Sequence, residues 1–424
     1  MKHAIPADPS NPWLSHMTEA VQKCVHCGFC LPACPTYVAL CQEMDSPRGR
    51  IILMKEVLEG TTALEAALPH VDRCLGCLGC ETACPSGVPY RDLISPFRQM
   101  AMKTRRLGLM AKLRRWSLLQ TLPYPGRFRL AAQLGGMARP FRGLMPGAMR
   151  PMLELLPSSL PAKQNFPEIS PAQGPRRARV ALLAGCAQQV LAPEINRATL
   201  AVLSKNGVEV IIPREQGCCG ALAWHVGAGE QARTAARKNL AAFPQDVDAI
   251  LTNAAGCGSG LHEYPLMLAG TSDEAAATAF AHRVQDVSQF LANLGLIAPP
   301  EVQPMTVAYH DACHLSHAQG VRSAPRELLR AIPGITVVEI PDGEICCGSA
   351  GSYNVDQPEI AADLGRRKAE AIRKTGAQWV AAGNIGCLTQ IAAHLRSGPQ
   401  PIRVVHTMEI LEMAYAGQAD KADR

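Results

Sequence analysis

Twelve residues, Cys24-Val25-His26-Cys27-Gly28-Phe29-Cys30-Leu31-Pro32-Ala33-Cys34-Pro35, spell C-x2-C-x2-C-x3-C-P. Three thiolates at i, i+3 and i+6 of one tight loop can each reach a different iron of a single cubane, and Gly28 lets the backbone curl around that core. The fourth iron needs a donor from elsewhere. Pro35 turns the chain away after Cys34 and aims that thiolate at a neighbouring site. A second run supplies such a site: Cys74-Leu75-Gly76-Cys77-Leu78-Gly79-Cys80-Glu81-Thr82-Ala83-Cys84-Pro85. Structural zinc would want C-x2-C pairs joined by a longer spacer, so two full runs with Pro in register point to iron–sulfur chemistry.

The two runs together resemble a two-cluster ferredoxin, in which the fourth Cys of each run ligates the other cluster. The resemblance implies one [4Fe–4S] cluster on Cys24, Cys27, Cys30 and Cys84, and a second on Cys74, Cys77, Cys80 and Cys34. Residues 50–60 (RIILMKEVLEG) carry apolar side chains at helical spacing and end in Gly60, which predicts a scaffold helix between the runs. Cys41 lies outside both runs and reads as a small buried hydrophobe.

A second set of cysteines lies in a duplication. Arg179-Val-Ala-Leu-Leu-Ala-Gly-Cys186 matches Thr306-Val-Ala-Tyr-His-Asp-Ala-Cys313, Cys218-Cys219-Gly220 matches Cys346-Cys347-Gly348, and Cys257 matches Cys387. Helix signals over 193–206 and 325–332 precede extended runs at 208–212 and 336–340, and this alternation predicts α/β units with parallel sheets. The cysteines then fall just past strand ends, where such folds place their sites. Cys186, Cys218, Cys219 and Cys257 in the first copy, and Cys313, Cys346, Cys347 and Cys387 in the second, are candidate metal ligands. A vicinal pair can hold two irons of one cluster, and the Gly that follows leaves room for an inorganic core. His310, His314 and His317 crowd Cys313, and His225 follows the first Cys-Cys-Gly; each can serve a cluster or merely satisfy a backbone group.

The whole chain sets bounds on these readings. At 424 residues it is long enough for two or three domains, and its 17 cysteines sit in ligand-spaced clusters, unlike a small secreted disulfide scaffold. Residues 1–13 have no apolar core of a signal peptide, and no apolar run is long enough to span a membrane, so a reducing cytoplasm is expected. Residues 93–153 contain no Asp or Glu and twelve basic residues, which leaves the rest of this +6 chain at about −6. Interleaved Leu, Met, Trp116 and Phe128 predict short basic amphipathic helices broken by Pro123, Pro125, Pro140 and Pro146. That stretch suits a linker face, a membrane surface or an acidic partner. Nucleic acid is not expected as a partner, since no binding motif accompanies the charge. Residues 157–179 are rich in Pro, Ser and Gln and read as an interdomain linker.

The expected fold is therefore α+β: a helical two-cluster ferredoxin module (14–95), a basic segment with a Pro-rich linker (96–178), and two duplicated α/β Cys-Cys-Gly domains (179–300 and 301–416). The repeat resembles the Cys-Cys-Gly domain of heterodisulfide reductases, which holds a non-cubane cluster and ends in C-x-x-C. This chain departs from that ending, with Cys257-Gly-Ser-Gly260 and Cys387-Leu-Thr-Gln390. Two ferredoxin runs followed by two such repeats resemble the electron-transfer subunits of glycolate oxidase, anaerobic glycerol-3-phosphate dehydrogenase and lactate utilisation. Asp45-Ser-Pro-Arg-Gly-Arg-Ile51, Glu81-Thr-Ala-Cys-Pro-Ser-Gly-Val88, Cys346-Cys-Gly-Ser-Ala-Gly-Ser-Tyr353 and Asn384-Ile-Gly-Cys387 place it nearest the glycolate oxidase iron–sulfur subunits.

That resemblance implies two [4Fe–4S] clusters and one or two further iron–sulfur clusters in the repeats. It also implies FAD-binding partner subunits that oxidise glycolate to glyoxylate, a quinone-type acceptor, and a cytoplasmic protein peripheral on the inner membrane. No G-x-G-x-x-G follows a strand and no catalytic triad is evident, so substrate chemistry is expected in the partners. A self-contained heterodisulfide-reductase-like catalyst and an adaptor with empty repeats are the competing classes.

Overall fold

The computed structural model describes residues 4–140, 153, 155–157, 159–396, 398 and 401–417. Six short helices build the N-terminal module: α1 (Leu14–Gln22), α2 (Pro35–Leu40), α3 (Pro47–Leu58), α4 (Leu64–Asp72), α5 (Gly79–Thr82) and α6 (Arg91–Thr104). The scaffold helix α3 begins earlier than its apolar spacing suggests. Ser46 caps it by accepting from Gly49 N at 3.0 Å, and Pro47 occupies the first helical position, where its missing N–H costs nothing. Gly60, at φ +74°, ends it as expected.

Both cysteine runs open as loops with the same backbone signature. His26 and Gly28 have positive φ (56° and 88°), and so do Gly76 and Leu78, fifty residues on (67° and 62°). The curl belongs to the ligand spacing and not to glycine alone, because His26 and Leu78 accept the left-handed region despite their side chains. Cys41 corrects an expectation. It ends α2 at φ +53°, and its side chain is exposed. A left-handed residue closing a six-residue helix turns outward instead of into the core.

Past the module, α7 (Leu109–Thr121) and α8 (Pro125–Ala138) are the basic helices, with Pro125 at the first position of α8. Their cations are not a uniform free surface. Arg105 pairs with Asp72 (2.7 Å), Arg114 with Asp356 (2.9 Å), and Arg115 donates to the Val226 carbonyl. Exposed instead are Arg106 and Lys112 with Leu109, Met110, Leu113 and Trp116. Pro146, Arg142 and Arg150 lie outside the described residues.

The two repeats are two separate sheets. The first has β1 (Ile169–Ser170), β2 (Ala178–Leu183), β3 (Val208–Ile211), β4 (Ala249–Thr252) and β5 (Val284–Asp286) in the order β1-β3-β2-β4-β5. The second has β6 (Met305–Tyr309), β7 (Ile335–Glu339), β8 (Trp379–Ala382) and β9 (Arg403–His406) in the order β7-β6-β8-β9, parallel throughout. The duplication is visible as β3-β2-β4-β5 against β7-β6-β8-β9. The Pro-rich segment is more than a linker: its Ile169 and Ser170 pair antiparallel with Ile211 and Val210. An open sheet edge presents unpaired backbone groups, and β1 covers this one.

Module and first repeat share one core. Trp13, Met17, Leu93 and Phe97 pack with Trp224 and Tyr264, all at most 3% exposed. Trp13 and Trp224 meet edge to face with centroids 5.5 Å apart, and Trp13 Nε1 donates to the Leu266 carbonyl at 2.7 Å. Each such side chain contributes about 1.5–3 kcal/mol on burial, which makes the module a docked part of the molecule.

Candidate iron–sulfur sites

Each cysteine run contributes to two adjoining hollows. Cys24, Cys27 and Cys30 line the first, with about 420 Å³ of empty space, together with Cys84 from the other run. Cys74, Cys77 and Cys80 line the second, about 300 Å³, together with Cys34. Pro47, Cys80 and Tyr90 border both, so only one layer of side chains separates them. With Cys80 counted to the second hollow, four thiols are left to each, which fits a cubane with one donor per iron. Burial pushes the Cys30 thiol up to about 11 and raises Cys77 and Cys80 as well, so thiolates form in these hollows only where positive charge offsets them.

One thiol is treated differently. Burial raises Cys74, but Arg50 and then Arg98 overcome it and leave that thiol below its ordinary value. Arg50, 1% exposed, is fully engaged: Nε donates to the His70 carbonyl (2.6 Å), Nη2 to Thr36 Oγ1 (2.9 Å) and Nη1 to Cys34 Sγ (3.8 Å). Behind it sits Asp45, wholly buried, 3.6 Å from Arg50 and 3.0 Å from both His70 and Arg73. Sequence reasoning placed Arg50 only at the start of a scaffold helix. Arg48 and Lys55 share that helix, so charge alone did not single Arg50 out.

In each repeat, thiols from three strand ends converge. Cys186 follows β2, Cys218 and Cys219 follow β3, and Cys257 opens the helix Ala255–His262 after β4. Cys186 Sγ and Cys218 Sγ lie 3.5 Å apart. In the second repeat, Cys313 follows β6, Cys346 and Cys347 follow β7, and Cys387 sits in the helix Ile385–Leu395 after β8. Cys313 Sγ and Cys346 Sγ are 3.9 Å apart. One thiol in each set is held down by neighbours: Cys218 by Cys186 and Cys219, Cys347 by Cys346 and Cys387. Soft donors gathered out of water in this way suit iron–sulfur or zinc chemistry. The fold thus supplies each copy with one set of four thiols.

The four singled-out histidines have different employments. His314 Nε2 donates to the Gly76 carbonyl at 2.9 Å, and His317 Nδ1 lies 2.8 Å from Thr82 Oγ1, so both clamp the second cysteine run. His225 Nε2 faces the buried Glu263 at 3.2 Å. His310 alone joins the thiols: its donor atom and those of Cys347 and Cys387 lie within 4.8 Å of one another.

The second repeat packs against residues that line the second hollow. Leu75, Cys313, Cys346 and Tyr353 form one buried cluster against which Cys77 packs, and Tyr353 Oη donates to the Arg73 carbonyl at 2.8 Å. Lys368, 3% exposed, was unremarked in the sequence. Its Nζ donates to the carbonyls of Asp342 and Gly343, both at 3.0 Å, and fixes the loop that presents Cys346 and Cys347. Asn239 has the matching task in the first repeat, where its Nδ2 donates to the Cys218 carbonyl at 3.0 Å.

Residues 20–88 match the 4Fe-4S dicluster domain, and residues 180–262 and 307–392 each match the cysteine-rich domain. The glycolate oxidase iron–sulfur subunit of Escherichia coli strain K12 is 36% identical over 93% of this chain and 94% of its own length. The probable glycolate oxidase iron–sulfur subunit of Bacillus subtilis strain 168 is 35% identical over 92% and 93%. Lactate utilization protein A of Oceanobacillus iheyensis is 31% identical over 56% of this chain and 98% of its own. With the thiol hollows, the duplicated sheets and likeness along nearly the whole length in agreement, the chain belongs to the family of glycolate oxidase iron–sulfur subunits.

Proposed function

We propose that this chain is the electron-transfer subunit of a glycolate oxidase (glycolate dehydrogenase) complex. It takes electrons from FAD-binding partner subunits that oxidise glycolate to glyoxylate and delivers them towards a quinone-type acceptor. In this reading Cys24, Cys27, Cys30 and Cys84 hold one [4Fe–4S] cluster, and Cys74, Cys77, Cys80 and Cys34 hold the other. One or two further clusters sit on Cys186, Cys218, Cys219 and Cys257 and on Cys313, Cys346, Cys347 and Cys387. Clusters of this kind supply one-electron transfer and leave substrate chemistry to the flavin.

The observation that carries the reading is contiguity: the two module hollows share a wall, and Cys77 packs against the thiol set of the second repeat. The chain's own residues keep that line short and dry. Arg50 and Arg98 offset thiolate charge at the second hollow, and His314, His317 and Tyr353 hold the loop of the second run against the second repeat. Among the described residues no helix is long and apolar enough to cross a membrane. The exposed Leu109, Met110, Leu113 and Trp116 beside Arg106 and Lys112 support peripheral contact with the cytoplasmic face of the inner membrane. A lactate-utilising complex would use the same line, but likeness to that relative covers only 56% of the chain.

The test uses the complex with its flavin subunits and the variant Cys347→Ser. Glycolate-dependent reduction of the N-terminal clusters survives, and quinone reduction fails. Quinone reduction at the normal rate would show that the second repeat is not on the path.

A further inference from the structure

His310 lies three residues before Cys313, at the end of β6, and is 1% exposed. Neither of its ring nitrogens meets an oxygen or nitrogen partner, and the side chain it bonds is the Cys347 thiol. An imidazole taken out of water with only sulfur to bond is costly, and buried polar groups are seldom left so. Its neighbours explain the position: Cys347 Sγ and Cys387 Sγ are within 4.8 Å of its donor atom and of each other. His314 and His317, close in sequence, are committed to the Gly76 carbonyl and to Thr82. Of the three histidines around Cys313, only His310 faces the thiols.

The first repeat offers no counterpart. The residue three before Cys186 is Leu183, 1% exposed and part of the core. His225 is turned to Glu263, and among the described residues neither it nor His262 gathers with the first repeat's thiols as His310 does with the second's. The duplicated sites therefore differ in donor chemistry: four thiols in the first, four thiols and an imidazole in the second.

We propose that His310 is a direct nitrogen donor to an iron–sulfur cluster in the second Cys-Cys-Gly domain, where it completes a mixed thiolate and imidazole set with Cys313, Cys346, Cys347 and Cys387. The inference rests on the reading that this domain is loaded with a cluster. A neutral imidazole at this fifth position brings no negative charge where a fifth thiolate would, so the site keeps a higher potential than five thiolates would give it, as histidine does in Rieske centres.

The experiment uses the full chain, purified anaerobically with 15N-labelled histidine. Iron is counted, and pulsed EPR is recorded in whichever oxidation state of the site is paramagnetic. Wild type shows a histidine 15N coupling and carries more than the about eight irons of two [4Fe–4S] clusters. His310→Cys keeps the iron, loses the coupling and lowers the potential of that centre. His310→Ala loses iron from the second domain and leaves the ferredoxin-type signals unchanged. Iron above eight with no coupling that depends on His310 overturns the nitrogen donor and leaves the loaded domain standing. About eight irons in wild type, unchanged by Cys347→Ser, overturns the loaded domain and this proposal with it.

Discussion

Arg50→Gln tests whether the second hollow depends on a buried cation. In the wild type Arg50 makes three side-chain contacts, to the His70 carbonyl, Thr36 and Cys34, and stands 3.6 Å from a fully buried Asp45. Removing one member of a buried ion pair costs roughly 3–5 kcal/mol, because the partner's desolvation is no longer offset. His70 and Arg73 still reach Asp45 at 3.0 Å, which places the expected loss near the lower bound. For a unit the size of the module and the first repeat that shares its core, that loss lowers the melting midpoint by on the order of 10 °C. Loading should fail in a specific way. Without Arg50, burial dominates at Cys74, its thiol rises, and a metal that binds only thiolate is taken up less at neutral pH. Iron content after reconstitution should fall at pH 7 and recover towards pH 9, while Arg50→Lys retains more of it. The assays are thermal unfolding by circular dichroism and iron per chain at the two pH values. A glutamine variant that melts within about 2 °C of wild type and loads fully at pH 7 would refute the reasoning.

Two further outcomes follow from the same structure. Because Cys84 faces the hollow of the first run and Cys34 that of the second, Cys34→Ser should alter the spectrum of the cluster on Cys74, Cys77 and Cys80, and Cys84→Ser that on Cys24, Cys27 and Cys30; lesions confined to the mutated run would sink the crossed arrangement. Asp286 caps the helix Val287–Leu294 through a bond from Ser288 N (2.8 Å), and burial raises its carboxyl to about 6, so the folded state prefers it protonated. Its contribution is complete below the unfolded value near 3.8 and is lost as pH rises through 6. The stability of wild type relative to Asp286→Asn should therefore fall by about 1.4 kcal/mol between pH 5 and pH 7.5, and a pH-independent difference would contradict the assignment.

Spacing in the chain was enough to read the local chemistry. Cys24, Cys27 and Cys30 must share a loop because three-residue steps keep their thiols on one side of it, and the positive φ at His26, Gly28, Gly76 and Leu78 shows the same curl in both runs. The duplication was equally plain, because the matched cysteines are offset by nearly the same distance, 127 (186 to 313), 128 (218 to 346) and 130 (257 to 387) residues. Strand–helix alternation then placed those cysteines past the carboxyl ends of parallel strands. Partnerships across distance were not encoded in any single stretch. Cys41 was taken for core and is exposed, since one left-handed residue decides where a short helix sends its last side chain. The Pro-rich segment contributes a strand because the first sheet has an edge for it to cover, and composition cannot reveal that edge. Three histidines around Cys313 look alike in sequence. Two are drawn off by Gly76 and Thr82 from a loop more than two hundred residues earlier, and only His310 is left against sulfur. Ligand spacing is a property of neighbouring residues along the chain, whereas burial, pairing and the direction a ring faces depend on what packs from elsewhere, and only the folded molecule decides that.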